Sequence, residues 1–173
     1  MAGRTYAALL RGVSPMNAPS AALREAFAAA GFADVRTVIA SGNVVFTAGT
    51  RLSPATIRRR AEDALEERLG RRFLTILRPI EALRGLLAAD PWQQWPVPDG
   101  AKRVVTFFLA EPETVPELPL ARAGATLYAV RGAEAYCAYV PSARGGEFMG
   151  VIERTFGKDI TTRTWDTVRR IAR

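Results

Sequence analysis

The sequence predicts an α+β protein with a ferredoxin-like βαββαβ N-terminal half and a second, less regular α/β half. Short apolar or β-branched runs alternate with segments of helical spacing, which is typical of mixed folds. The phrase Ser41-Gly42-Asn43-Val44-Val45-Phe46 places a tight turn directly before a strand. No low-complexity tract divides the 173 residues. We therefore expect one compact domain over residues 1–173, subdivided at 1–78 and 79–173.

The first half opens with a strand and a helix. The apolar run Arg4–Leu10 predicts a buried strand. Ser20 is the expected N-cap of a helix over Ala21–Ala30, and Gly31 stands where helices commonly end.

A hairpin and a second helix complete this half. β-Branched strands are predicted at Val35–Ile39 and Val44–Thr47. Ser53-Pro54 opens the helix with a cap and a proline at the first helical position, and Gly70 ends it. A fourth strand follows at Phe73–Leu77. This order places both helices on one face of a four-stranded antiparallel sheet.

The second half repeats the mixture less regularly, and Thr161 or Thr162 is the expected cap of its last helix. Its predicted elements are, in order, a helix at Ile80–Ala88, an irregular segment at Asp90–Gly100, a strand at Arg103–Leu109, a loop at Glu111–Leu120, strands at Thr126–Val130 and Ala135–Val140, and helices at Glu147–Phe156 and Arg163–Ala172.

The absence of histidine excludes several function classes. It removes imidazole metal ligands, the commonest general base and every Ser-His or Cys-His nucleophile pair. The single cysteine, Cys137, lies in a predicted strand, so no intramolecular disulfide can form and a buried thiol is expected. We expect neither a metal nor a cofactor. The sequence also lacks the phosphate-binding, dinucleotide-binding and nucleophile-elbow motifs.

The chain is expected to be cytoplasmic and not to bind membranes, because it shows no secretion signal and no apolar run near the roughly 18 residues of a span. Its net charge is +7, with the basic excess in residues 1–78 and 144–173. Two explanations stay open for that excess: a face that attracts anions, or a composition in which arginine replaces lysine, since Lys102 and Lys158 are the only lysines.

Three segments are candidates for an anion site. Arg11 follows the first strand, where a loop guanidinium can hold a carboxylate or phosphate, or can pair with an acidic side chain instead. Ser41, Gly42 and Asn43 can form a nest of backbone N–H groups, or simply a turn that tolerates positive φ. The third segment is the predicted start of the last helix, where free amides favour anions, with Lys158, Thr161, Thr162 and Arg163.

The tryptophans give a weaker indication of a site. Trp92 and Trp95 lie in the irregular segment, where large rings can line a cleft, whereas Trp165 falls on an apolar helical stripe and is expected in the core.

The leading hypothesis is a binding protein for a small anionic or phosphorylated ligand. Nucleic-acid binding through charge alone is an alternative, although the aromatic signature of an RNA-recognition motif is absent. A second alternative is a histidine-independent enzyme of phosphate or acyl chemistry, with Lys158 or Asp159 carrying a proton and Ser41 and Asn43 as donors.

Several phrases together resemble the bacterial family named domain of unknown function 1697 (DUF1697). They are Leu9-Leu10-Arg11-Gly12, Gly31 to Thr37, Ser41 to Phe46, and Thr155 through Trp165, in that order along nearly the whole chain. Ser14 stands where members commonly have asparagine, and Thr164 and Asp166 replace two more asparagines. The resemblance implies an α+β fold of ferredoxin-like halves and implies no activity.

Overall fold

The computed structural model describes residues 3–141 and 147–173 and contains helices and two antiparallel sheets. The strands are β1 Gly3–Leu10, β2 Ala33–Thr37, β3 Asn43–Gly49, β4 Thr75–Pro79, β5 Lys102–Phe108, β6 Leu120–Arg122, β7 Ala125–Arg131, β8 Glu134–Tyr139 and β9 Ile160–Thr164. The helices are α1 Ser20–Ala29, α2 Pro54–Leu69, α3 Ile80–Ala89, α4 Glu147–Phe156 and α5 Trp165–Ile171, with a 3-10 turn at Pro91–Gln94.

The chain divides into two compact units. The first contains residues 1–85 and 169–173, and the second contains residues 86–168. The first sheet has the order β2-β3-β1-β4 and the second the order β6-β7-β8-β5-β9, with antiparallel pairing throughout. The mixed α/β class predicted from the sequence is confirmed.

In the first unit α1 and α2 pack against one face of the sheet, as the element order predicts. Tyr6, Ala8 and Leu10 of β1 share a core with Phe27 of α1 and Ile57 of α2. The alternate residues of β1 are buried as well, since Ala7 and Leu9 are 0% exposed. Burial on both faces explains why the sequence of this strand is an unbroken apolar run rather than an alternation.

The second helix forms as its sequence indicates. The Ser53 hydroxyl accepts a hydrogen bond from the Thr56 amide at 3.2 Å, and Pro54 is the first residue of the helix. Gly70, with φ +67°, ends the helix, and its amide donates a hydrogen bond to the Glu66 carbonyl. Glu62, on the inner side of this helix, accepts a hydrogen bond from the Thr75 amide at 3.1 Å and thereby joins α2 to β4.

The predicted cap of the first helix is wrong. Ser20 is the first residue of α1, the cap position belongs to Pro19, and no side chain caps this end. The loop before the helix instead uses Ser14 and Asn17 to satisfy its own backbone. Gly31 adopts a left-handed φ of +85° just beyond the helix, as expected.

The second unit builds its core between one sheet face and α4. Val104, Phe108 and Cys137 pack with Phe148 and Ile152 of that helix. Cys137 is 0% exposed, and burial raises the pKa of its thiol to about 12, so the expectation of a buried cysteine is confirmed. The short strand β6 begins at Leu120, the last residue of the segment for which a loop was expected, and its pairing with β7 extends the sheet.

The end of the chain differs from the sequence prediction. A helix was expected from Arg163, but Ile160–Thr164 is a strand that pairs with β5, and α5 begins at Trp165. Its capping side chain is Thr164, which accepts a hydrogen bond from the Thr167 amide at 3.2 Å. Within the described residues no helix is long and apolar enough to cross a bilayer.

Replacing the two serines tests the capping assignment. Ser53→Ala removes the acceptor for the Thr56 amide and is expected to lower the free energy of unfolding by about 1 kcal/mol. Ser20→Ala is the matched control and should change it by less than about 0.5 kcal/mol, because Ser20 caps nothing. Urea denaturation of both variants measures the difference, and equal losses would contradict the assignment.

Candidate functional site: the loop edge of the first unit

Three connecting segments meet at one edge of the first sheet, and we call residues 11–19, 38–42 and 70–74 together the loop edge. The strand register brings them there, because Leu9 pairs with Asn43 and Leu10 with Thr75. The end of β1 therefore lies beside the beginnings of both β3 and β4. The sequence hypothesis that the Arg11 loop and the Ser41–Asn43 turn share one place is consistent with this geometry.

Asn43 fixes the turn of the hairpin. Its side chain is 1% exposed, and its amide nitrogen donates to the Val38 carbonyl at 2.9 Å and to the Ser41 hydroxyl at 3.2 Å. A buried amide is costly unless it is hydrogen-bonded, so these contacts are structural in purpose. They occupy the donors that a ligand would need from Asn43.

The same turn holds a residue in an unfavourable conformation. Ile39 has φ +56°, a left-handed value that costs a β-branched residue about 1–3 kcal/mol. The hydrogen bond from the Val38 amide to the Asn43 carbonyl, at 2.9 Å, closes the turn around it. Ile39 is nevertheless 43% exposed, so it is only partly buried.

Gly42 presses the turn against the neighbouring loop. Its carbonyl accepts a hydrogen bond from the Leu10 amide at 2.8 Å, and its φ is +80°. A β-carbon at this position would lie 2.8 Å from the β-carbon of Val13 and 3.2 Å from the Leu10 carbonyl oxygen. Glycine is required here by close approach as well as by backbone conformation.

The loop from Gly12 to Pro19 has a defined shape. The Ser14 amide donates to the Asn17 side chain at 2.8 Å, and the Asn17 side chain donates to the Gly12 carbonyl at 2.9 Å. Val13 packs against the core and Ala18 is buried within it, so both ends of the loop are anchored. The segment between them is presented to solvent.

Two adjacent arginines of the loop edge have different surroundings. Arg72 contacts three carboxylates, those of Glu62, Asp63 and Glu66, and its hydrogen bonds to Asp63 and Glu66 raise the pKa of its guanidinium. Arg71 has no carboxylate partner within residues 3–141 and 147–173; its guanidinium lies 5.1 Å above the ring of Phe73.

Arg71 also borders the Gly12 loop. A β-carbon built on Gly12 would find nothing closer than the Arg71 Nη2 atom, at 3.9 Å, so the main chain at Gly12 is open on that side. Arg11 precedes this glycine and is half-buried, and its amide donates to the Leu74 carbonyl at 3.0 Å. The sequence prediction did not include Arg71. Its position directly after Gly70, the glycine that ends α2, could have indicated that it lies in a loop beside the sheet edge.

The predicted helix-start site is not formed as expected. Thr161, Thr162 and Arg163 lie on strand β9, where successive side chains point to opposite faces. Thr162 shares a hydrogen bond with Thr106 at 2.8 Å, whereas Lys158 is exposed in the preceding turn. This second group belongs to the second unit, and the loop edge belongs to the first.

Arg163 is the most unusual member of that group. It is 9% exposed, and burial lowers the pKa of its guanidinium to about 10. One of its nitrogens donates to the Thr161 hydroxyl at 2.7 Å and to the Thr162 carbonyl at 2.9 Å. These bonds tie Arg163 to its own strand, and an anion-binding role for Lys158, Thr161, Thr162 and Arg163 stays a prediction.

The aromatic segment of the second unit forms a ring cluster. Trp92 is 2% exposed and meets Trp95, Tyr136 and Trp165 edge to face at 5.7 to 5.8 Å. Trp95 is half-buried and stacks on Tyr128 at 5.5 Å. Since the rings pack on one another, the cluster is accounted for by core packing, and Trp165 is in the core as predicted.

Comparisons with known proteins agree with the family resemblance. The sequence model described as "Protein of unknown function (DUF1697)" matches residues 4–136. A solved structure, that of the conserved bacterial protein SP0830 from Streptococcus pneumoniae, is similar with a TM-score of 0.70 and 20% sequence identity, covering 99% of this chain and 97% of that one. At this identity the likeness concerns the fold. No curated protein matches the chain.

Two glycine variants test the contact that holds the loop edge together. Gly42→Ala forces its β-carbon against Val13 and Leu10 in a left-handed conformation and should cost about 2–4 kcal/mol of unfolding free energy. Gly31→Ala has a similar φ of +85° with nothing within 4 Å, so about 1 kcal/mol is expected. Denaturant unfolding measures both, and losses of equal size would show that the close contact is unimportant.

Proposed function

The chain belongs to the DUF1697 family of proteins of unknown function, and from the chemistry of its loop edge we propose that it binds a small anionic or phosphorylated ligand there. The main support for this proposal is the charge of the three segments that form the loop edge. They contain three arginines, Arg11, Arg71 and Arg72, and no aspartate or glutamate. Segments that carry basic side chains alone attract anions. The carboxylates of α2 offset the charge of Arg72, so the attraction falls chiefly to the other arginines.

The distribution of charge along the chain supports this position. The first unit contains 16 basic and 7 acidic side chains, which leaves +9, and the second contains 8 basic and 10 acidic, which leaves −2. The positive charge of the protein therefore belongs to the unit that carries the loop edge.

The geometry around Gly12 favours a small ligand. Arg71 supplies an exposed guanidinium that no carboxylate neutralises within the described residues, and it borders the open main chain of Gly12. Guanidinium groups bind phosphate and carboxylate in a bidentate manner, and glycine lets an anion approach the backbone closely. Arg72, held by three carboxylates, contributes less.

Nucleic-acid binding is the second candidate, and the charge of +9 on the first unit favours it. Binding of this kind would depend on phosphates alone and would weaken steeply with salt, because each neutralised phosphate releases counterions. A small-ligand site would respond to salt far less. An enzymatic role is not proposed, because the Asn43 amide is occupied within its own turn.

We also infer that the first unit is of the ferredoxin-like class and that the protein is cytoplasmic. The antiparallel order β2-β3-β1-β4 with two helices on one face supports the first inference. The single buried cysteine is compatible with the second.

Thermal unfolding with inorganic phosphate, pyrophosphate and ATP tests the anion site. A ligand at roughly 100 times its Kd should add about 2.7 kcal/mol to stability and raise Tm by a few degrees. Arg71→Ala should weaken binding about tenfold or more through the loss of a charge-assisted contact, which at the same ligand concentration removes about half of the shift or more.

Arg60→Ala is the matched control, since Arg60 is exposed on α2 away from the loop edge and should leave the shift unchanged. Equal shifts in both variants would place the anion elsewhere. A response to single-stranded oligonucleotides alone, fading with salt, would favour the second candidate.

A further inference from the structure

The loop edge carries exposed apolar side chains in addition to its arginines. Among the described residues, four large apolar side chains are exposed: Met16, Ile39, Val115 and Val140. Two of these four, Met16 and Ile39, lie on the loop edge, in the two segments that touch at Gly42 and Val13. Apolar tips therefore coincide with the basic cluster.

Met16 is presented by a shaped loop. It is 96% exposed, between a proline at 15 and the Asn17 side chain that ties the loop to Gly12. Both ends of the loop are anchored, with Val13 packed against the core and Ala18 buried within it.

Ile39 adds a second apolar tip at a conformational cost. An isoleucine with φ +56° is strained, and glycine or asparagine would fit this turn position better. The residue is 43% exposed, so partial burial offsets the strained backbone only in part. A surface contact that uses the isoleucine would offset the rest.

We propose that the loop edge docks on an anionic lipid surface, with Met16 and Ile39 entering the interfacial region and Arg11 and Arg71 meeting the phosphate headgroups. This rests on the proposed anion site and identifies the source of its phosphate. Exposed apolar side chains on loops beside the exposed guanidinium of Arg71 suit a bilayer interface, which has a fluid apolar layer behind negative charge. This docking departs from the sequence expectation that the chain does not bind membranes, which rested on the lack of a spanning segment. No helix of the described residues could span a bilayer, but contact with its surface does not need one.

The positive charge of the first unit favours membranes that contain anionic lipids. The first unit carries +9, so binding requires anionic headgroups and is weak on neutral ones. A peptide partner would need a groove for its side chains, whereas Met16 projects outward. A nucleic acid would use the arginines but has no need of the exposed methionine.

Co-sedimentation of the full chain with phosphatidylcholine vesicles, with and without phosphatidylglycerol, is the test. We expect binding to the anionic vesicles alone. Met16→Ser should weaken it about tenfold, or about 1.4 kcal/mol, because much of the apolar contact is lost. Val115→Ser is the matched control, since Val115 is 47% exposed in the second unit, and it should bind like the unchanged protein.

A fluorescent label reports insertion directly. Met16→Cys can be labelled selectively with an environment-sensitive maleimide dye, because Cys137 is 0% exposed and burial raises its pKa to about 12. A blue shift with anionic vesicles, and none with free phosphate, supports docking of the tip. An unshifted dye on bound vesicles would overturn it.

The remaining outcomes separate this inference from the anion site. A phosphate or ATP shift in Tm without vesicle binding overturns the lipid surface and leaves the anion site standing. If Met16→Ser leaves vesicle binding unchanged, the binding is electrostatic alone, and the inference is overturned. If the protein binds an oligonucleotide more strongly than vesicles, and Met16→Ser does not change that binding either, the loop edge is a nucleic-acid site and the inference is overturned. No response to any of these probes overturns both proposals.

Discussion

The loop edge depends on one buried side chain, the amide of Asn43. Because it lies out of solvent, its donors must be satisfied within the protein, and the Val38 carbonyl and Ser41 hydroxyl satisfy them. That requirement fixes the path of the hairpin turn and brings Gly42 into contact with Leu10 and Val13. The Asn43 amide therefore contributes to the position of the arginine-bearing loop after β1, which the hydrogen bond from the Leu10 amide to the Gly42 carbonyl joins to this turn.

The central strand of the first sheet determines where charge can lie. β1 pairs with β3 on one side and β4 on the other, and its residues from Tyr6 to Leu10 are buried. No charged side chain is tolerated along that stretch without a large desolvation cost, so the first one after it, Arg11, comes where the strand ends. The arginines of the α2–β4 connection reach the same edge because β4 runs antiparallel to β1.

The sequence predicts an element correctly where residues within that element determine its ends. Ser53-Pro54 and Gly70 bound a helix by capping and backbone conformation, and both act within a few residues. The segment Ile160–Thr164 was mistaken for the approach to a helix, although its β-branched residues favour a strand. Its partner, β5, lies more than fifty residues away, and no periodicity within the segment reveals that pairing. Thr164 at the end of this strand caps α5, since its hydroxyl accepts a hydrogen bond from the Thr167 amide.

The candidate site was predictable to the same extent. Arg11 and the Ser41–Asn43 turn flank strands whose antiparallel pairing is strongly signalled, so their proximity follows from the hairpin and the first strand. Arg71 and Arg72 are indistinguishable in sequence, yet one faces three carboxylates and the other an aromatic ring beside an open glycine. The difference arises because Glu62, Asp63 and Glu66 recur at helical spacing and gather on the side of α2 that Arg72 reaches. Whether an arginine can bind a ligand therefore depends on whether nearby carboxylates already contact it. Here they contact Arg72, and Arg71 has no carboxylate partner within the described residues.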